Sequence, residues 1–331
     1  MASDAGVHPG TASRALSPEQ RHLVSPDTRK RVEAAARRLE FRPDTAARSL
    51  RTRRSYTVGV LIPDLNNPLF PPIVRGIDDR LAQSGYVALL GNTDNDQAKE
   101  RRVFDGMRSR LVDGLIVATA RRQHPLLERA AAEDLAIVLV NRVLEGHEFS
   151  SASVDDGLGV RLAVAHLARL GHRRIAHLAG PQDVSTGRGR YQGFLLGMAE
   201  MGLEVDPRLV AFTPNFSQAE GMRACRQILR SEAACTAIVA GNDLLALGCY
   251  SALDEAGLKC PEMVSVVGFN DMPFIDRLRP PLTSIRIPHY QMGAEAARLV
   301  LERIADRHRP VSAVFLAPEL VVRGSTAPAP A

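Results

Sequence analysis

The chain has 331 residues, 45% of them hydrophobic, enough to bury cores in more than one domain. Its 42 Lys+Arg and 37 Asp+Glu are unevenly placed: residues 1–54 carry 12 basic and 6 acidic side chains, a net of +6, and the remaining 277 carry 30 and 31, a net of −1. A small basic head on a nearly neutral body points to a polyanion-binding module joined to something else, and the absence of any apolar run near about 18 residues argues against a membrane span.

In chain order, Ala5 to Leu16 reads as a turn followed by a helix. Gly6 suits the positive φ of a sharp inter-helix turn, and Pro9 suits a first helical position, where no amide hydrogen is required. Val7, Ala12, Ala15 and Leu16 form the apolar set, which turns Thr11, Ser13 and Arg14 outward. A second helix is predicted from Ser25-Pro26-Asp27-Thr28: Ser25 as N-cap, Pro26 at N1 and Asp27 at the positive end of the dipole. Val32, Ala35, Ala36 and Leu39 recur at helical spacing among Arg29, Lys30, Arg31, Arg37 and Arg38. A solvated helix with scattered arginines would show the same pattern. Phe41-Arg42-Pro43-Asp44 ends this helix, and Thr45 to Arg51 is a further short helix-capable run.

Together these residues resemble the lactose-repressor (LacI/GalR) family of bacterial transcription regulators. The matching positions are Ala5, Gly6, Val7, Thr11, Ser13, Arg14 and Leu16; then Val24, Ser25, Thr28, Arg29, Arg31, Val32 and Ala35; then Arg42, Pro43, Ala47, Arg48 and Leu50; and the run Tyr56 to Pro63. The resemblance covers essentially the whole chain. It implies an α/β protein with an N-terminal helix-turn-helix head plus hinge helix, then a two-lobed periplasmic-binding-protein-like core of two parallel-sheet subdomains. Residues 9–16 would be the recognition helix in the major groove, with Arg14 on a base edge or adjacent phosphate. Thr11, Ser13, Ser25 and Thr28 would contact phosphates. Leu50, beside Ala47, would be the hinge-helix wedge in the minor groove. Pro9 and Gly10 stand where the family often has larger base-reading side chains, so direct readout there is weak. Only Met1 to Asp4 correspond to the family's first helix, which implies a natural start upstream of this one. The head would then span 1–43 and the hinge helix and linker 44–55.

From residue 56 short apolar runs alternate with amphipathic helices. The runs are 57–62, 87–91, 114–119, 136–140, 174–179, 209–213, 236–240, 264–268 and 314–316, the βαβ signature of a parallel sheet. They repeat at an offset of about 120 residues, the size of one domain. Val58 to Pro63 answers Ile175 to Pro181, Asp113 to Val117 answers Thr236 to Ala240, and Ile137 to Asn141 answers Val264 to Asn270. The expected core is 56–324: a first subdomain of 56–154 plus 285–313, a second of 155–284 plus 314–324, and then a disordered tail, 325–331. The apolar helices predicted at 69–84 and 98–111 are either the dimer surface or ordinary core-facing helices.

Two facing α/β halves make a cleft at the C-terminal ends of their strands. The residues just after the strands are Asn66 to Phe70, Asn92-Thr93-Asp94, Asn141-Arg142, Arg190, Phe216, Asn242-Asp243 and Asn270-Asp271. Amides both donate and accept, and Phe faces stack on rings, which suits a hydroxyl-rich or flat polar ligand. Asn and Asp at such places are also ordinary turn and capping residues. By the resemblance, the effector site is Asn67, Phe70, Asn141, Arg142, Thr186, Arg190, Phe216, Asn242 and Asn270, with Phe70 and Phe216 sandwiching the ligand. The family often has Asp at position 270; Asn there removes a negative acceptor and adds a donor.

Cys225, Cys235, Cys249 and Cys260 show neither CxxC nor metal-ligand spacing and read as buried free thiols. Gly187-Arg188-Gly189-Arg190 is not a dinucleotide fingerprint, there is no Walker A run, and His166, His172 and His177 fit no catalytic spacing. The expectation is therefore a non-enzymatic, cytoplasmic, ligand-responsive repressor. It would bind a pseudo-palindromic double-stranded DNA operator as a homodimer, or as a tetramer built from dimers. It would use no cofactor, no metal and no membrane. A sugar or sugar acid is favoured as effector over a purine. The alternative is a solute-binding protein of the same two-lobed fold without a DNA role, which would carry a signal peptide in place of a basic head.

Overall fold

A computed structural model describes residues 1–16, 20–39, 41, 54–131, 135–146, 149–231 and 233–330. The chain divides into two compact units, Met1–Ser55 and Tyr56–Ala331.

In the first unit, α1 (Pro9–Leu16) and α2 (Pro26–Arg38) pack on a small cluster of Ala5, Ala12, Ala15, Val32 and Ala35. Pro9 opens α1, and Gly6 takes the expected positive φ of 61° at the preceding turn. Ser25 caps α2: its Oγ accepts from the Thr28 amide at 3.4 Å.

The second unit contains two six-stranded sheets. The first has the order β11-β5-β4-β3-β1-β2 and is parallel throughout. It comprises β1 (Thr57–Ile62), β2 (Val87–Asn92), β3 (Gly114–Val117), β4 (Ala136–Val140), β5 (Ser150–Val154) and β11 (Ala313–Leu316). Between these strands run α3 (Phe70–Ala82), α4 (Gln97–Ser109) and α5 (Pro125–Ala131). The second sheet has the order β12-β10-β9-β8-β6-β7. Its strands are β6 (Ile175–Ala179), β7 (Val210–Phe212), β8 (Ala237–Ala240), β9 (Ser265–Asn270), β10 (Thr283–Arg286) and β12 (Glu319–Val321), with only β12 antiparallel. Helices α6 (Asp156–Arg169), α7 (Ser185–Glu200), α8 (Gln218–Leu229) and α9 (Asp243–Glu255) belong to this lobe, and α10 (His289–Ala305) returns to pack on α3.

Three boundaries differ from the sequence expectation. Residues 285 and 286 belong to the second lobe, because β10 pairs with β9 from Thr283 through Arg286. Residues 314–316 belong to the first lobe, because β11 pairs in parallel with β5. The last crossing is thus confined to Ala317-Pro318, two residues between strands of different sheets. The segment 325–330, expected to be a disordered tail, is fastened to the second lobe. Ser325 is fully buried; its Oγ donates to Val266 O at 2.6 Å and accepts from the Thr283 amide at 2.8 Å. The Ala327 amide donates to Ser265 Oγ, Ala327 O bonds His172 Nε2 at 3.0 Å, and the Ala329 amide donates to Leu170 O at 2.9 Å. A Ser/Thr/Ala/Pro composition reads as flexible, but here small side chains let the backbone lie close enough to bond a neighbouring element.

The four cysteines are free; Cys225 and Cys249 are buried, and Cys235 and Cys260 are half-buried. His166 and His172 bond the C-terminal segment, and His177 is buried against Phe194 with Nδ1 on Val239 O. Among the described residues no helix is long and apolar enough to cross a membrane.

Candidate effector cleft and DNA-reading helix

On the head, burial of Ala12 and Ala15 leaves Ser13 and Arg14 exposed and Thr11 half-exposed. Gly10 donates its amide to His8 Nδ1 at 3.1 Å, which fixes the start of α1. Ser25 and Thr28 are engaged with each other, Ser25 Oγ donating to Thr28 Oγ1 at 2.9 Å, so they already serve as a helix cap besides the phosphate role expected of them. Ala47 and Leu50 lie outside the described residues.

In the core, one narrow cavity of about 20 Å³ is lined by Asn67, Leu69, Phe70, Asn141, Arg142, Thr186, Arg190, Phe216, Asn242 and Asn270. All nine residues expected at the effector site are brought together, five from the second lobe and four from the first. Asn67 Oδ1 accepts the Leu69 amide and so turns the chain into α3, where Phe70 is the first residue. Asn141 (φ 66°) and Asn270 (φ 111°) end β4 and β9 in the left-handed region, which Asn tolerates better than most residues. Asn242 is the N-cap of α9, its Oδ1 accepting from the Leu245 amide at 2.9 Å, which leaves its amide nitrogen for other work. Phe216 lies over Gly180: a Cβ there would meet the ring at 2.3 Å, so only glycine admits the aromatic at that wall.

The two arginines differ. Arg190 is 3% exposed and engaged on all sides. Its Nε donates to Asp156 Oδ1 at 2.7 Å, Nη1 to Gly241 O at 2.8 Å and Nη2 to Asn270 Oδ1 at 3.5 Å, and its guanidinium lies 3.9 Å over the Phe269 ring. Arg142 is 9% exposed, and its Nε has no hydrogen-bond partner among the described residues. Burial pulls its pKa down to about 10, with Asp183 opposing and Arg121 and Arg190 reinforcing that fall; it stays cationic at neutral pH.

Bonds between the lobes cross the rim of the cleft. Arg122 N donates to Asp183 O at 2.8 Å and Arg122 Nη1 to Gln182 O at 3.2 Å; Arg121 Nη1 pairs with Asp183 at 3.3 Å; the Val143 amide donates to Ser185 Oγ at 2.9 Å.

Two family descriptions match: bacterial regulatory proteins of the lacI family over residues 1–44, and a periplasmic binding protein-like domain over residues 164–326. The HTH-type transcriptional repressor CytR of Escherichia coli (strain K12) is 32% identical over 98% of this chain and 95% of its own length. The chain belongs to the LacI family. The ribose operon repressor of Bacillus subtilis (strain 168) is 33% identical, covering 98% of this chain and 97% of its own. Among solved structures, the lac repressor dimer bound to operator and the anti-inducer ONPF superposes with a TM-score of 0.86 at 26% identity, over 98% and 97% of the two chains. This LacI-family regulator therefore pairs a DNA-binding head with a two-lobed core.

Several strand-end residues do not line the cavity. Asn92 accepts the Leu65 amide and bonds Asp94, which engages Lys99 in a local loop cluster. Asp271 pairs with Arg286 and Arg323, at 2.7 and 2.6 Å. Asp243 sits fully buried beside the wall, accepting from Ser284 Oγ at 2.6 Å and the Met272 amide at 2.8 Å. Asp156 and Phe269, which hold Arg190, were missed by strand-end reasoning: Asp156 reads only as a favourable first-turn acid, and Phe269 only as a core strand residue.

Proposed function

We propose that this LacI-family regulator is a cytoplasmic repressor that binds a pseudo-palindromic operator as a dimer and responds to a small polar metabolite in the interlobe cleft. The relatives named above are repressors, and that sign is carried over to this chain. Arg14 is the base-reading candidate; Pro9, Gly10, Thr11, Ser13, Ser25, Thr28, Ala47 and Leu50 are assigned to the rest of the DNA contact. The observation that carries the ligand response is the set of bonds across the cleft rim, Arg121 and Arg122 to the 182–183 turn and Val143 to Ser185. A ligand held by both lobes changes the balance of these bonds. A coupling of roughly 1–3 kcal/mol to the head alters operator affinity about 5–150-fold. Four asparagines and two phenylalanines on the wall favour a hydroxylated ring, a sugar or sugar acid ahead of a purine. The cleft is read as a binding site rather than a place of turnover. For self-association, the apolar face of α3 and edge strand β2, where Val87 and Leu90 are exposed, is the assigned surface.

The test is binding of the full-length protein to promoter fragments from its own genome at several salt concentrations, with and without metabolites. Salt-sensitive, metabolite-modulated binding is expected. Absence of any salt-sensitive attachment would sink the reading.

A further inference from the structure

The polar lining of the cleft is four amides, one hydroxyl and two guanidinium groups, with no carboxylate among its residues. Arg190 contributes little free charge to it, because Asp156 neutralises that side chain at 2.7 Å and Gly241 O and Asn270 take its other donors. Arg142 is the opposite case. Its guanidinium is nine-tenths buried, its Nε is unpartnered, and no carboxylate among the described residues forms an ion pair with it. The acids around it are committed elsewhere: Asp183 to Arg121 at 3.3 Å, and Glu100 to Thr119 and, at 3.4 Å, to His124. A buried cation with an open donor is costly unless something completes it.

A second feature points the same way. Helix α7 begins at Ser185 with Val184 as N-cap, so no side chain caps its first-turn amides. Thr186, in that first turn, lines the cleft, and the bond from the Val143 amide to Ser185 Oγ ties the residue after Arg142 to the start of this helix. A sixteen-residue helix presents the positive end of its dipole there, which favours an anion. The cavity of about 20 Å³ is far below the volume of ligand pockets, about 300–1,000 Å³, so the lobes must part to admit an effector.

We propose that the effector is an anionic metabolite, a hydroxylated ring bearing a carboxylate or phosphate, and that Arg142 together with the start of α7 binds its acid group. This rests on the reading of the cleft as the effector site. Arg142 then acts as the residue that selects charge, and Arg190 as a scaffold that holds Asn270 and the Phe269 wall.

The experiment is calorimetry on the full-length protein with pairs that differ in charge: D-glucose against D-glucuronate and D-glucose 6-phosphate, D-galactose against D-galacturonate, and D-ribose against D-ribose 5-phosphate. At least one acid should bind about tenfold or more tightly than its neutral partner, and the carboxylate and phosphate arms tell which acid group the site takes. Arg142→Gln should remove that advantage, and Arg142→Lys should restore part of it. The wild-type ranking stands by itself where Arg142→Gln fails to fold. Acids that bind no better than their neutral partners, or an acid preference that survives Arg142→Gln, overturn the proposal. A parallel DNA-release assay separates the two readings. Neutral sugars that release DNA while acids do not would leave the repressor reading intact and remove this one; DNA binding indifferent to every compound would count against both.

Discussion

Among the described residues, the head buries Ala5, Ala12, Ala15, Val32 and Ala35, while the core's largest fully buried side chains include Phe70, Phe104, Phe194 and Phe269. Small side chains let α1 and α2 approach closely, and little is hidden, so the candidates for DNA contact are the exposed residues left over. In the core the relation is inverted: the functional candidates Thr186, Arg190, Asn242 and Asn270 are buried as deeply as the hydrophobic residues around them. Polar groups at such depth must be satisfied by the protein or by a ligand. A substitution on the head should therefore alter recognition with little effect on folding, whereas one in the cleft should alter both.

The largest effect expected from breaking this contrast is at Arg190. Arg190→Ala leaves Asp156 buried without its cation, and burial already pushes that carboxyl up. Removing one partner of a buried ion pair costs about 3–5 kcal/mol. The variant should lose ligand response and melt well below the wild type, and Arg190→Ala with Asp156→Ala should recover part of the lost stability. Denaturant unfolding of the core checks this. Equal stability of the single variant and the wild type would show that Arg190 is exposed to ligand rather than built into the wall.

Much of this was legible from sequence. The alternation of apolar runs gave the two parallel sheets, and strand ends followed by Asn or Phe gave the cleft. Strands β5 and β10 escaped notice because Ser150 to Val154 and Thr283 to Arg286 are short and rich in Ser and Thr, without a continuous apolar run. Burial there comes from neighbours on the sheet rather than from the strand's own hydropathy. The fastening of 325–330 escaped for a related reason: its bonds are mostly backbone to backbone or to small hydroxyls, which leave no compositional signal. Strand ends indicate which residues approach the cleft, but not which of two arginines is already spent on an aspartate.

On the head the effects should be large for DNA and small for folding. Arg14→Ala removes an exposed side chain from α1 and should cost about 1–3 kcal/mol of operator binding, with unchanged thermal unfolding and unchanged ligand binding. Fluorescence anisotropy on the operator measures it; full affinity would take Arg14 out of the reading set. Leu50→Ala should come next, lowering specific affinity about tenfold and reducing DNA bending, while non-specific affinity stays near wild type. An equal loss on specific and random DNA would point to a general packing role for this leucine.

The smallest expected effect tests how far the core's buried polar groups govern its stability. Asp243 is fully buried, and desolvation raises its carboxyl to about 7 against an ordinary 3.8, although Ser284 and the Met272 amide favour the ionised form and Arg190 adds to them, with Asp271 opposing. Between these two values the folded protein keeps a proton that the unfolded chain releases. The contribution of Asp243 to stability is therefore fully present at low pH and is lost as pH rises toward about 7, the reverse of a salt-bridged carboxylate. Asp243→Asn imitates the protonated acid: its carbonyl accepts from Met272, and its amide donates to Ser284 Oγ. The wild type should thus lose melting temperature relative to Asp243→Asn between pH 5 and pH 8, with the two curves closest at the acid end. Parallel curves across that range would mean that the carboxyl is ionised throughout and that its two hydrogen bonds outweigh its burial.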